Sequence, residues 1–221
     1  MADEVVLLNF WCSPFGLRVR ISLAEKGIKY EYKEEDLMGN KKSPLLLEMN
    51  PVHKKVPVLI HNGKPICESL IIVQYIDEVW SDRSPLLPSD PCQRAQARFW
   101  ADYVDRKIDD SQSKLLLATK EEQEAAKKSF LDVLKLLEEE LGHKAYFGGD
   151  KFDFSDIAFV PYYCFFKTYE ILGKFKMEEE CPRIIAWAKK CMEKESVFKS
   201  LPDPQKVYEL FVEVRKKFGV E

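Results

Sequence analysis

The chain of 221 residues lacks any apolar run near the roughly 20 residues that a membrane-spanning helix needs, so no membrane association is expected. It also lacks an excess of either charge. A net charge of −3 gives no bulk attraction to nucleic acid or an anionic surface. The opening Met1-Ala2-Asp3-Glu4 is acidic where a secretory signal would be basic, and the expected location is cytoplasmic. The six cysteines, Cys12, Cys67, Cys92, Cys164, Cys181 and Cys191, include no CxxC pair and are too sparse for a disulfide scaffold. Reduced thiols are the expectation. The three histidines, His53, His61 and His143, form no HExxH or CxxH group, so no metal site is expected. Internal repeats and low-complexity segments are missing too.

What the chain does have is enough apolar content, 46%, for one large domain or two small ones. Its first 80 residues mix strands and helices. The largely apolar run from Val5 to Phe10 reads as a buried strand, placed over Val5–Asn9. Pro14–Lys26 reads as a helix closed by Gly27, and Lys29–Lys33 alternates like a strand. Ser43–Met49 reads as a short helix. Val56–His61 and Pro65–Cys67 flank Asn62-Gly63, a strong hairpin signal. Ser69–Val79 reads as a helix. The order is βαβ, helix, ββα. Residues 81–90 supply turn chemistry and read as a linker. Residues 91–221 show no strand: helices are expected over Cys92–Ala118, Glu121–Leu141 (ended by Gly148-Gly149), Ile157–Tyr169, Pro182–Lys194 and Pro204–Phe218. Asp153 and Asp156, three apart before an apolar stretch, read as a capping box with a structural role.

The most informative segment is Phe10-Trp11-Cys12-Ser13-Pro14-Phe15-Gly16, a strand-to-helix turn. Ser13 before Pro14 reads as an N-cap followed by a helix-starting proline. A helix N-terminus carries partial positive charge and unpaired N–H donors, and a thiol held there ionises more readily. The turn is therefore suited to activating a thiol, either that of Cys12 or that of a bound molecule. On these residues alone, before any resemblance, an ordinary cap, worth about 1 kcal/mol of stability, is the plainer reading of Ser13.

The segment Phe10-Trp11-Cys12-Ser13-Pro14-Phe15, the segment Asn50-Pro51-Val52-His53-Lys54-Lys55-Val56-Pro57-Val58-Leu59, the helix start Glu68-Ser69-Leu70-Ile71-Ile72-Val73-Gln74-Tyr75-Ile76-Asp77-Glu78 and Phe99-Trp100-Ala101-Asp102-Tyr103 together resemble the soluble glutathione transferases, specifically the plant tau class. The resemblance covers essentially the whole chain. It implies an α/β thioredoxin-like N-terminal domain over 1–80, an all-α C-terminal domain over 91–221 that contributes the hydrophobic substrate site, and a homodimer. It also implies glutathione as co-substrate, apolar electrophiles as partners, and a role in detoxification or stress response that could extend to hydroperoxide reduction.

By the same resemblance, Ser13 hydrogen-bonds the glutathione sulfur as thiolate. Pro57 is cis, and the Val56 backbone pairs with the cysteinyl segment of glutathione like an added strand. Ser69 meets the γ-glutamyl carboxylate at a helix N-terminus, and Glu68 meets the adjacent ammonium. Lys55 and Lys42 are candidates for the glycine carboxylate, with Lys41 an alternative to Lys42 because the 38–43 segment is longer than usual. Trp11, Phe15 and Leu37 from the first half, with Phe165 and Leu210 from the second, are candidates for the apolar site. Core packing explains Phe15 and Phe165 as well. The stretch Asp109–Leu116 departs from the aromatic or basic residues common in relatives and points to a wider, more polar pocket. Two other readings stay open: a ligandin-like carrier of apolar metabolites, and a thiol transferase acting through Cys12.

Overall fold

The computed structural model describes residues 3–39 and 41–220. The chain divides into two compact units, Met1–Leu87 and Pro88–Glu221.

The first unit is built on β1 (Val5–Asn9), α1 (Pro14–Glu25), β2 (Glu31–Glu34), α2 (Pro44–Met49), β3 (Val58–His61), β4 (Lys64–Cys67) and α3 (Ser69–Val79). Its sheet has the order β2-β1-β3-β4. β1 pairs parallel with β2, Asn9 opposite Glu34, and antiparallel with β3, Leu7 opposite Leu59. All five residues of β1 are buried; the apolar Val5 to Leu8 suit a central strand, and Asn9 is a buried polar residue at its end. The period-2 alternation of strand side chains gives one sheet face Val6, Leu8, Val58 and Ile60, which pack with Leu46 of α2. Asn62 and Gly63 both have positive φ, 50° and 76°, the conformation of a two-residue hairpin turn. α1 and α3 pack against each other, and α3 also touches β3 and β4.

The βαβ-α-ββα order is the expected one, with shifted edges. β2 runs over Glu31–Glu34 rather than from Lys29. β3 begins at Val58 rather than Val56, because Pro57 has no N–H to give a ladder.

The second unit is helical among the described residues: α4 (Pro91–Tyr103), a π-helical turn (Val104–Ile108), α5 (Asp109–Leu117), α6 (Gln123–Leu141), α7 (Phe154–Phe159), a 3₁₀ turn (Val160–Phe165), α8 (Phe166–Gly173), α9 (Met177–Glu180), α10 (Pro182–Cys191), α11 (Glu195–Phe198) and α12 (Pro204–Lys217). Two expectations are corrected here. The helix expected over Ile157–Tyr169 is broken by the 3₁₀ turn, since Pro161 cannot donate an interior helix bond. The helix expected over Cys92–Ala118 contains the π turn. α6 ends at Leu141 as expected, with Gly142 at φ 54° following it, and it begins at Gln123 rather than Glu121. The one-turn helices α9 and α11 are too short for a periodic signal. Among the described residues no helix is long and apolar enough to cross a membrane.

Candidate functional site

The Ser13 turn is held by its own chain. The Ser13 amide donates to the Phe10 carbonyl at 2.9 Å. Its hydroxyl is the N-cap of α1 and accepts from the Gly16 amide at 3.4 Å. A serine hydroxyl has one proton to donate besides its acceptor lone pairs, so Ser13 can cap the helix and still donate to a sulfur. The two readings of Ser13 are therefore compatible. Ser13 is 8% exposed, so little water competes for that proton.

Cys12 is placed differently. It is 4% exposed, and its thiol is pushed up to about 12, first by burial and then by the negative charge of Glu34. A thiol in that state is protonated near neutral pH and is a poor nucleophile. Glu34 itself escaped sequence reasoning. It accepts from the Trp11 amide at 3.0 Å and from the Tyr32 hydroxyl, and no short-range motif announces a residue acting from 23 positions away.

The second loop is organised by Asn50, which is 3% exposed and was also missed. Its side-chain amide donates to the Lys55 carbonyl at 2.9 Å and accepts from the His53 amide at 3.1 Å. The Val56–Pro57 peptide is cis. Among the described residues no hydrogen bond engages the Val56 amide or carbonyl, which leaves both for an extended ligand. Lys42 is not a free charge: its ammonium donates to the Lys54 carbonyl at 2.6 Å, whereas Lys41 and Lys55 are exposed.

At the β4–α3 junction Glu68, not Ser69, occupies the N-cap position, with φ 68° and no side-chain cap bond. Ser69 is therefore not an ordinary N-cap but the first helical residue. Its hydroxyl accepts from the Arg18 guanidinium at 3.0 Å, tying the start of α3 to α1. The first-turn amides of α3 carry no side-chain cap, which is the condition for receiving an anion. Glu68 is half exposed and lies 3.9 Å from His53.

Of the apolar candidates, Trp11 and Phe15 are half-buried. The Arg18 guanidinium stands 5.1 Å from the Phe15 ring centre. Leu37 is 40% exposed. In the second unit, Phe165 is a core residue at 2% exposure, near-parallel to Tyr169 and edge-on to Phe211. Leu210 on α12 is half-buried. Within the stretch 109–116, Ser111, Gln112, Leu115 and Leu116 are buried, and Gln112 accepts from the buried Tyr169 hydroxyl. Asp153 and Asp156 form a reciprocal capping box at the start of α7. Among the described residues no three His, Cys, Asp or Glu side chains gather as a metal group.

Residues 3–78 match the N-terminal domain profile of glutathione S-transferases, and residues 98–195 match the C-terminal domain profile. The chain belongs to the glutathione S-transferase family. Arabidopsis thaliana glutathione S-transferase U19 is 61% identical over 221 residues, covering all of both chains. A rice transferase solved in complex with glutathione superposes with a TM-score of 0.94 at 48% identity, covering all of both chains. The tau-class transferase of mango superposes at 0.89 with 42% identity, covering 96% of this chain and 98% of its own. The chain is a plant tau-class glutathione S-transferase: its first unit carries a mixed four-stranded sheet with helices, and its second unit is helical among the described residues.

Proposed function

We propose that this transferase binds glutathione along the Val56 backbone and the start of α3, and that Ser13 stabilises its thiolate for attack on an apolar electrophile. The observation that carries the proposal is the buried Ser13 hydroxyl at the N-terminus of α1, capped and with its proton still to give. A free thiol has a pKa near 8.5, and lowering it by about two units stabilises the thiolate by about 2.7 kcal/mol. A charge-assisted hydrogen bond together with the helix terminus supplies an amount of that order. The thiolate then attacks the electrophilic carbon of an aryl halide or activated alkene, or the oxygen of an organic hydroperoxide, and holding the two reactants together carries the rest of the rate.

The unpaired Val56 amide and carbonyl suit the cysteinyl segment of glutathione. The uncapped first turn of α3 suits the γ-glutamyl carboxylate, with the Ser69 hydroxyl beside it and Glu68 placed for the ammonium. The exposed Lys55 and Lys41 are the freer partners for the glycine carboxylate, because Lys42 is already committed to Lys54. On the first unit, the apolar substrate would meet Trp11, Phe15 and Leu37. Cys12 chemistry loses support from burial and from Glu34. A homodimer in the cytoplasm, serving detoxification, completes the proposal.

The test is a pH titration of the thiolate absorbance of bound glutathione in wild type and Ser13→Ala. The expected result is a bound pKa well below the free value that rises in the variant, with kcat for conjugation falling about a hundredfold, as when one donor to a developing anion is removed. A depressed pKa unchanged in Ser13→Ala would move activation to the helix terminus. No depression in wild type would sink the transferase mechanism and favour a carrier of apolar molecules.

A further inference from the structure

Glu34 is the last residue of β2 and sits opposite Asn9 in the parallel ladder, so its side chain stands where β1 ends and the Ser13 turn begins. One carboxylate oxygen accepts from the Trp11 amide at 3.0 Å, and the other accepts from the Tyr32 hydroxyl. Tyr32 and Glu34 lie two apart on one strand and so share a face. The Arg20 guanidinium stands 5.7 Å from the Tyr32 ring centre. The carboxylate is thus fixed at both oxygens, one of them against the backbone of the residue before Cys12. Cys12 is in turn the residue before Ser13.

Resting on the function proposed above, we propose that Glu34 is a positioning and selectivity residue: it clamps the Trp11 amide so that the turn presents Ser13, and its charge keeps the neighbouring Cys12 sulfur out of the reaction. The nucleophile is then the sulfur of bound glutathione and not the protein's own. The need for such a guard follows from the turn itself. A helix N-terminus that favours a thiolate on a ligand favours one on an adjacent cysteine by the same field. Burial opposes ionisation of Cys12, and Glu34 adds a repulsive charge to that opposition.

The reaction held back is thiol–disulfide exchange. A Cys12 thiolate would attack one sulfur of glutathione disulfide. A bond between the Cys12 sulfur and that glutathione sulfur would form as the disulfide's own S–S bond broke, and the departing glutathione thiolate would take up the proton that Cys12 had lost. The disulfide is the only oxidant required.

The experiment compares full-length wild type, Glu34→Gln, Glu34→Ala and, as a control for general charge, Glu31→Gln, whose carboxylate lies 3.5 Å from Lys33 on the same strand. Labelling of Cys12 by iodoacetamide and by glutathione disulfide is followed by peptide mass mapping as a function of pH. Conjugation of an aryl halide is measured as kcat and KM for glutathione. Cys12 labelling is expected to rise about tenfold in Glu34→Gln, the equivalent of one pH unit, with its pH profile displaced downward and Glu31→Gln matching wild type. Glutamine keeps an oxygen for the Trp11 amide and alanine does not, so kcat should fall severalfold further in Glu34→Ala than in Glu34→Gln. Labelling in Glu34→Gln no faster than in wild type would overturn the guarding role and leave burial alone as the cause. Equal kcat in the alanine and glutamine variants would overturn the clamp. If wild type conjugates nothing, the proposed function fails, and the labelling still decides whether Glu34 restrains Cys12.

Discussion

Gly16 has no side chain, and the space where one would stand is filled by Asn9. A Cβ on Gly16 would lie 1.6 Å from the Asn9 Oδ1, and Asn9 is fully buried at the end of β1. Helix propensity alone predicts that Gly16→Ala stabilises α1 by about 1 kcal/mol. The contact predicts the reverse, because overfilling a packed site costs about 1–3 kcal/mol. Urea unfolding decides between them: a lower midpoint is expected in Gly16→Ala, and a raised one would refute the close approach of β1 and α1. Conjugation should fall as well, since the Gly16 amide is the donor that the Ser13 hydroxyl accepts. At this scale Ser13 is legible in the sequence because a cap and its proline are neighbours, and cap chemistry is local. Asn9 against Gly16, Glu34 on Trp11 and Arg18 on Ser69 are not legible. Each is a contact between elements that only the fold brings together.

The start of α7 shows what a whole element can carry. Asp153 accepts from the Ser155 amide at 2.8 Å, and Asp156 accepts from the Asp153 amide at 2.9 Å. Asp156 also accepts from the Phe147 amide at 2.9 Å and from the Trp187 indole N–H of α10 at 2.7 Å. Both carboxyls are pushed up, chiefly by burial, and Asp156 further by the charge of Asp153. Unfolding returns them to the ordinary carboxylate range. Between the ordinary and the raised values the folded chain binds more protons than the unfolded one. Stability from this pair is therefore complete below the ordinary range and is lost as pH rises through the raised values. Asp153→Asn keeps a good cap but removes one titrating group and its repulsion. The stability of wild type relative to Asp153→Asn should accordingly fall between about pH 5 and pH 7.5, by on the order of 1 kcal/mol, as read by urea unfolding at the two pH values. A pH-independent difference would refute it. The spacing of Asp153 and Asp156 makes the box legible in sequence, as the Asn62-Gly63 turn makes the hairpin legible. The break at Pro161 could have been read from the missing N–H. The π turn at Val104–Ile108 carries no such local mark, and the bond from Trp187 depends on α10 packing back.

Across the whole molecule, residues 81–90 read as a linker from turn residues alone, yet part of this stretch is tied down within the first unit. The Asp77 carboxylate accepts from the Leu86 amide at 2.8 Å and from the Leu87 amide at 3.0 Å. The same carboxylate lies 2.7 Å from the ammonium of Lys26, whose side chain is fully buried. Lys26 also donates to the Trp80 carbonyl at 3.1 Å, and its own carbonyl accepts from Arg83 at 2.7 Å. Local sequence does not reveal this, because Lys26 and Asp77 lie on different elements that only the fold brings together. One carboxylate thus compensates a buried cation and holds the chain just before the second unit begins at Pro88. Asp77→Ala removes both functions at once. Leaving a buried charge unpaired costs about 3–5 kcal/mol, and the 86–87 amides lose their acceptor. Two readouts follow from the two roles: a lowered unfolding midpoint, and faster tryptic cleavage after Arg83 under native conditions. Asp77→Asn separates them, because an asparagine oxygen can still accept from one of the amides but gives Lys26 no counter-charge. The asparagine variant is expected to lose most of the stability and regain part of the protease resistance, whereas equal cleavage rates in wild type and Asp77→Ala would show that the segment is held by something other than this carboxylate.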